Sequence, residues 1–99
     1  MDIQRLRNLT TGILHTKMDD IYLDIEYFTG AHGVMTHMLP SACRALEPYL
    51  RAKVADVRFW NVRHDPSHVG DIEIPPMDEA ALRDFWGRFQ EILPGMRPL

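Results

Sequence analysis

The 99-residue chain has a single cysteine, Cys43, so no intramolecular disulfide can form and a small fold stapled by disulfide bridges is excluded. Long apolar runs are also missing, and nothing approaches the roughly 20 consecutive apolar residues of a membrane-spanning helix. The opening Met1-Asp2-Ile3-Gln4-Arg5 lacks the charged-then-apolar layout of a secretory signal peptide, and a reducing cytoplasm is the expected setting. Basic residues are sparse: Lys and Arg number 11 against 14 Asp and Glu, for a formal net charge of −3. Proteins that hold nucleic acid need a basic stripe to displace counterions from phosphates, so direct DNA or RNA binding is disfavoured. No nucleophile elbow, Walker loop, dinucleotide fingerprint, C-x-x-C pair or H-E-x-x-H helix is present. On those grounds neither an enzyme nor a bound cofactor is expected.

What the chain does have is ordinary globular material, 45% hydrophobic and 25% charged, which argues for a folded domain rather than disorder. One domain over residues 1–99 is expected, with a loose tail at about 95–99. Ile3, Leu6 and Leu9 are spaced by three and predict a short helix over 2–9, interrupted at Thr10-Thr11-Gly12, after which Ile13 and Leu14 resume an apolar patch. Over 18–28, Met18, Ile21, Tyr22, Ile25 and Phe28 share one helical face at ~100° per residue. Asp19 and Asp20 fall in the first turn, which favours anions, and Gly30 is placed to end the helix in the left-handed conformation. Residues 31–37 read as a loop.

A further helix starts near Pro40, a residue suited to the first helical position, and lines up Leu39, Ala42, Cys43, Leu46, Tyr49 and Leu50. Pro48 predicts a kink or break near Glu47, because its ring would clash with the Arg44 carbonyl. Residues 56–63 alternate as a strand, Asp65-Pro66-Ser67 signals a turn, and 71–74 alternate again before Pro75-Pro76. Asp78 is a sound N-cap for a last helix whose stripe is Leu82, Phe85, Trp86, Phe89, Ile92 and Leu93, with Met77 and Leu82 placed as a hydrophobic staple and Pro94-Gly95 as the stop. The expected fold is therefore α+β, three to four short helices packed on a small antiparallel β-hairpin of 56–63 with 71–74, with an all-α fold as the alternative.

Candidate chemistry is thin. His32, His37, His64 and His68 invite a metal, yet their spacing meets no zinc rule, and Pro66 keeps His64 and His68 off a common helix face. Cys43 could be a nucleophile with His37 as its base, but it shares the apolar face of Leu39, Leu46 and Leu50, where a buried inert thiol is the ordinary outcome. Trp60 and Trp86 read as core, and Arg58, Arg63 and Arg83 as solvated surface. One feature departs from a clean core pattern. Leu23 and Tyr27 lie four apart on the face opposite the 18–28 stripe, with Asp20 and Asp24 beside them. That is an aromatic anchor with a charged rim, the makings of a partner-binding patch.

The order Thr11-Gly12, Ile21-Tyr22, Phe28-Thr29-Gly30, Thr36-His37-Met38-Leu39-Pro40, Cys43 and Glu47-Pro48-Tyr49-Leu50 resembles a small domain of unknown function found in bacteriophages and prophages. The likeness covers roughly residues 9 to 55 and continues loosely in Gly70-Asp71-Ile72-Glu73-Ile74-Pro75. Where that family tends to have an acidic residue after the second Thr-Gly, this chain has Ala31, followed by His32-Gly33. The resemblance brings no catalytic residues. It implies a phage accessory product that binds a host protein and inhibits or modulates it, with a defence system such as CRISPR–Cas among the partners expected. Two other functions fit the composition: a small metal-binding protein using the loop histidines, and a homo-oligomeric accessory protein such as a two-fold dimer burying surplus aromatic surface.

Overall fold

The computed structural model describes residues 1–32, 34–62 and 64–92. Among the described residues the fold is all-helical: α1 (Ile3–Thr11), α2 (Met18–Thr29), a 3₁₀ turn (Thr36–Met38), α3 (Leu39–Lys53), α4 (Val57–Asn61) and α5 (Glu79–Ile92). The expected stop after Ile92, the Leu93 end of the last stripe and the 95–99 tail lie outside the described residues, as does Arg63.

The helices begin and end where local chemistry allows. The Asp2 carboxylate caps α1 by accepting from the Gln4 amide at 2.7 Å. Gly12 and Gly30 close α1 and α2 at φ 74° and 70°, a left-handed conformation that suits glycine alone. The Asp78 carboxylate takes the Ala81 amide at 2.8 Å at the start of α5. α1 runs through Thr10 and Thr11, whose hydroxyls turn back onto carbonyls of the preceding turn, on Leu6 and Arg7. The core sits along α3, whose Ala42, Ala45, Leu46 and Leu50 are buried. α1 packs on one side with Leu6 and Leu9, and α5 on another with Phe85 and Phe89. The two alanines let neighbouring helices approach α3 closely.

Two expectations are corrected. Of the kink or break expected at Pro48, the break does not occur: α3 is one helix through it. The carbonyl that Pro48 deprives of a partner belongs to Arg44, and both residues are exposed, so water can satisfy it. The larger correction is the hairpin: the fold is all-α, not α+β. Residues 57–61 form α4, and 71–74 make no ladder with them. A short apolar alternation is ambiguous between strand and helix, and here the ends decide. The Asp56 carboxylate accepts from the amides of Arg58 and Phe59 and nucleates the turn. At the other end the guanidinium of Arg7, fully buried, donates to the carbonyl oxygens of Val62 at 2.6 Å and Phe59 at 3.4 Å. The second half of the supposed hairpin is taken by the N-terminus instead, through a lone bridge between Asp2 and Asp71 and mutual hydrogen bonds of Met1 with Ile72.

The Arg7 guanidinium also donates to His68 Nδ1 at 3.0 Å, which leaves His68 Nε2 as the protonated nitrogen, 3.1 Å from the Asp56 carboxylate. One turn back, Gln4 donates its side-chain amide to the carbonyls of Asp65 and His68 at 2.9 and 2.8 Å. Replacing Arg7 with Met preserves the apolar stem but removes the guanidinium donors to Phe59, Val62 and His68. Arg7→Met should cost about 2–4 kcal/mol of unfolding free energy in urea, the range for stranding buried acceptors. A loss under about 1 kcal/mol would show that apolar packing alone holds α1 to α4.

Candidate functional site

Between the end of α1, the 12–17 connection, the start of α2 and the start of α3 lies a groove of about 630 Å³, within the ~300–1,000 Å³ range of small-ligand and anchor sites. Its walls are aliphatic: Leu9, Ile13, Leu14, Met18, Ile21 and Leu39. Ile13, Leu14 and Met18 are 55%, 50% and 39% exposed. Apolar side chains on a loop usually fold inward, and Asn8 explains why these do not. Buried at the end of α1, its side-chain oxygen accepts the amides of His15 and Thr16 at 2.6 and 3.1 Å, and its NH₂ donates to the Thr16 hydroxyl at 2.6 Å. The Thr16 hydroxyl in turn donates to Asp20 at 2.8 Å. At the far side His15 stacks on His64, ring centroids 5.4 Å apart. With the backbone of the connection pinned in this way, Ile13 and Leu14 are presented to solvent on an ordered support. Across the groove, the Tyr22 hydroxyl meets the Thr36 hydroxyl at 2.6 Å and ties α2 to the turn before α3.

Cys43 lies in the groove wall, partly buried. Desolvation pushes its thiol up to about 11, so the thiolate is scarce at neutral pH. Among the described residues no hydrogen bond joins Cys43 to His37, the base that the sequence offered. Its surroundings are those of a buried, unreactive thiol.

The surface expected at Asp20, Leu23, Asp24 and Tyr27 is part exposed and part consumed. Leu23 and Tyr27 are 55% and 46% exposed and share a shallower hollow of about 350 Å³ with Met1, Arg5 and Asp24. The acids are engaged elsewhere. Asp24 is only 2% exposed and accepts two hydrogen bonds from Arg5, whose Nε lies at 3.1 Å. Burial still raises the Asp24 carboxyl above its ordinary value despite Arg5, while the same pair raises Arg5. Asp20 is held low, first by the Thr16 hydroxyl. The Tyr27 hydroxyl is spent on the Ile74 carbonyl at 2.7 Å.

The four candidate metal histidines are dispersed. His32 faces Glu26 at 3.2 Å, His37 is exposed, His64 stacks on His15, and His68 is buried between Arg7 and Asp56. Among the described residues no three His, Cys, Asp or Glu side chains converge on a position that could hold a metal ion. No helix among them is long and apolar enough to cross a membrane. The groove itself was partly legible in sequence, since Ile13 and Leu14 stand out as an apolar pair after Gly12. What makes them a site is Asn8, a residue with no motif around it.

The chain belongs to the family described as Domain of unknown function (DUF7736), whose profile matches residues 1–60. Every residue lining the groove falls within that segment, whereas α5 falls outside it. No curated protein and no solved structure matches the chain.

Two measurements check this description. Because the Cys43 thiol is shifted from 9.0 to about 11, its reaction with an aromatic disulfide at pH 8 should be about a hundredfold slower in the native protein than in urea. Equal rates would place Cys43 in open solvent. The Arg5–Asp24 pair should respond asymmetrically, because Arg5 keeps 34% exposure and can turn to water while Asp24 keeps 3%. Arg5→Ala strands a buried carboxylate and should cost about 3 kcal/mol, whereas Asp24→Asn should cost clearly less. The reverse order in denaturant titrations would contradict the burial assigned to Asp24.

Proposed function

We propose that this member of the DUF7736 family is an interaction protein that takes an apolar segment of another protein into the groove between α2 and α3. The carrying observation is the ordered exposure of Ile13, Leu14 and Met18 around a concave aliphatic surface. Exposed apolar surface that is both concave and rigid lowers the ordering cost of association and is what a binding anchor needs. The Cys43 environment and the scattered histidines favour binding over chemistry.

The resemblance to bacteriophage and prophage domains extends the proposal to the partner. It is a host protein in the bacterial cytoplasm, bound and inhibited or modulated, with a defence complex such as CRISPR–Cas as one candidate. A partner large enough to cover both faces of α2 would also meet Leu23 and Tyr27, which lie across the helix from Ile21. Capture of host proteins by the tagged chain, compared with an Ile13→Asp, Leu14→Asp variant, tests the groove directly. One stoichiometric protein should be retained at moderate salt by the unaltered chain and lost from the variant, with both forms showing the same circular dichroism and melting temperature. Retention by the variant would move the interface elsewhere, and Tyr27→Ala would then be the next substitution to compare.

A further inference from the structure

Three features of the groove select its occupant. The first is what it lacks. Among the described residues there is no strand and hence no sheet edge for an extended peptide to join. None of the lining residues is aromatic, which removes the platforms on which polyproline segments dock and nucleobases stack. The second is shape. The groove is an open trough between two helices, walled by aliphatic side chains and a flexible methionine, which matches the apolar stripe of a third helix. The third is charge. Of the lining residues only Arg44 and Glu47 are ionic. Glu47 is answered by Arg51 at 3.7 Å, while Arg44, exposed on the rim, has no ion pair among the described residues. A chain of net charge −3 thus sets a cation without an ion-pair partner among the described residues at the mouth of its apolar groove.

We infer that the groove takes an acidic amphipathic helix of a partner protein, with aliphatic anchors at i, i+3, i+4 and i+7 and a carboxylate beside that stripe on Arg44. The inference rests on the groove being the partner site, as proposed above, and specifies what enters it. Anchors spaced at one helical turn seat against Leu9, Ile21 and Leu39 from the open side, flanked by Ile13 and Leu14. The carboxylate sets register and excludes basic helices of the same apolar pattern.

The test uses two labelled, helix-stabilised synthetic peptides with leucine at i, i+3, i+4 and i+7. One carries glutamate and the other lysine at the positions flanking the stripe, and both are titrated by fluorescence anisotropy against the full chain. The glutamate peptide should bind about fivefold or more tightly than the lysine peptide. Arg44→Glu should reverse the preference, and Ile13→Asp should abolish binding of both. Equal binding of the two peptides, a preference unmoved by Arg44→Glu, or binding that survives Ile13→Asp would each overturn the inference. So would failure of both peptides while laurate binds the unaltered chain, or a self-associated chain that Arg44→Glu dissociates, since the occupant would then be a lipid or a second copy. If both peptides fail while the captured host protein still depends on Ile13 and Leu14, the groove is the partner site and only its occupant has been misassigned. Both substitutions are on exposed side chains, and unchanged melting temperatures separate loss of binding from loss of fold.

Discussion

The fold depends on one buried cation. Arg7 is held with no solvent exposure, and burial lowers its basicity. What keeps it charged is the ring of acceptors around it: two carbonyls at the end of α4, the His68 nitrogen, and the fields of Asp65 and Asp56. A charge removed from water is tolerable when acceptors gather around it, and each group that answers the two terminal nitrogens of Arg7 is thereby fixed in place. Arg7 also lies over the Phe59 ring at 5.0 Å, so the same side chain positions the buried aromatic of α4. The 65–68 turn is a second consequence. Gln4 fastens its carbonyls to α1, and Asp65, held far below the ordinary carboxylate range by Ser67 and Arg58, ties its side chains together. A segment of the chain that makes no sheet and little core is ordered by polar contacts to one face of α1.

The groove is the other product of α1. Gln4 and Arg7 organise α4 and the turn after it; Asn8, the next residue, organises the 12–17 connection. Leu6 and Leu9 meanwhile bury against α3. One short helix thus has an apolar face that makes the core and a polar face that makes two loops rigid. The contact of His15 with His64 joins those loops to each other, and burial together with the neighbouring His64 and Arg7 holds His15 below its ordinary value. The wall of the groove is therefore braced from the interior, and Ile13 and Leu14 remain outside although hydrophobic collapse would draw them in.

Four helices were legible in the sequence because their signals are local. Asp2, Gly12, Gly30, Pro40 and Asp78 mark ends by capping or by backbone restriction, and the apolar spacing between them is helical. α4 was not legible. Val57, Phe59 and Asn61 on one side, with Trp60 and Val62 on the other, fit a strand as well as they fit a short helix, and the residue that decides, Arg7, is about fifty positions away. The Leu23–Tyr27 patch shows the same limit from the other side. Its spacing was read correctly, and both side chains are exposed, but helical spacing cannot tell whether a neighbouring acid faces solvent or a buried arginine. Arg5 draws Asp24 inward, and the Thr16 hydroxyl engages Asp20.

That difference separates the two exposed places on α2. At Leu23 and Tyr27 the polar groups are already satisfied within the chain, so an incoming partner gains apolar contact but no new ion pair without breaking an old one. At the groove the apolar wall is larger, its support is held by hydrogen bonds, and the rim cation Arg44 has no carboxylate partner among the described residues to give up. Interfaces derive affinity from a desolvated apolar centre and selectivity from charges that are unsatisfied until the partner arrives. Of the two places on α2, the groove combines both. The stability lost by leaving Ile13, Leu14 and Met18 in water, of order 1 kcal/mol or more for each side chain that could otherwise be buried, is recovered only when something covers them.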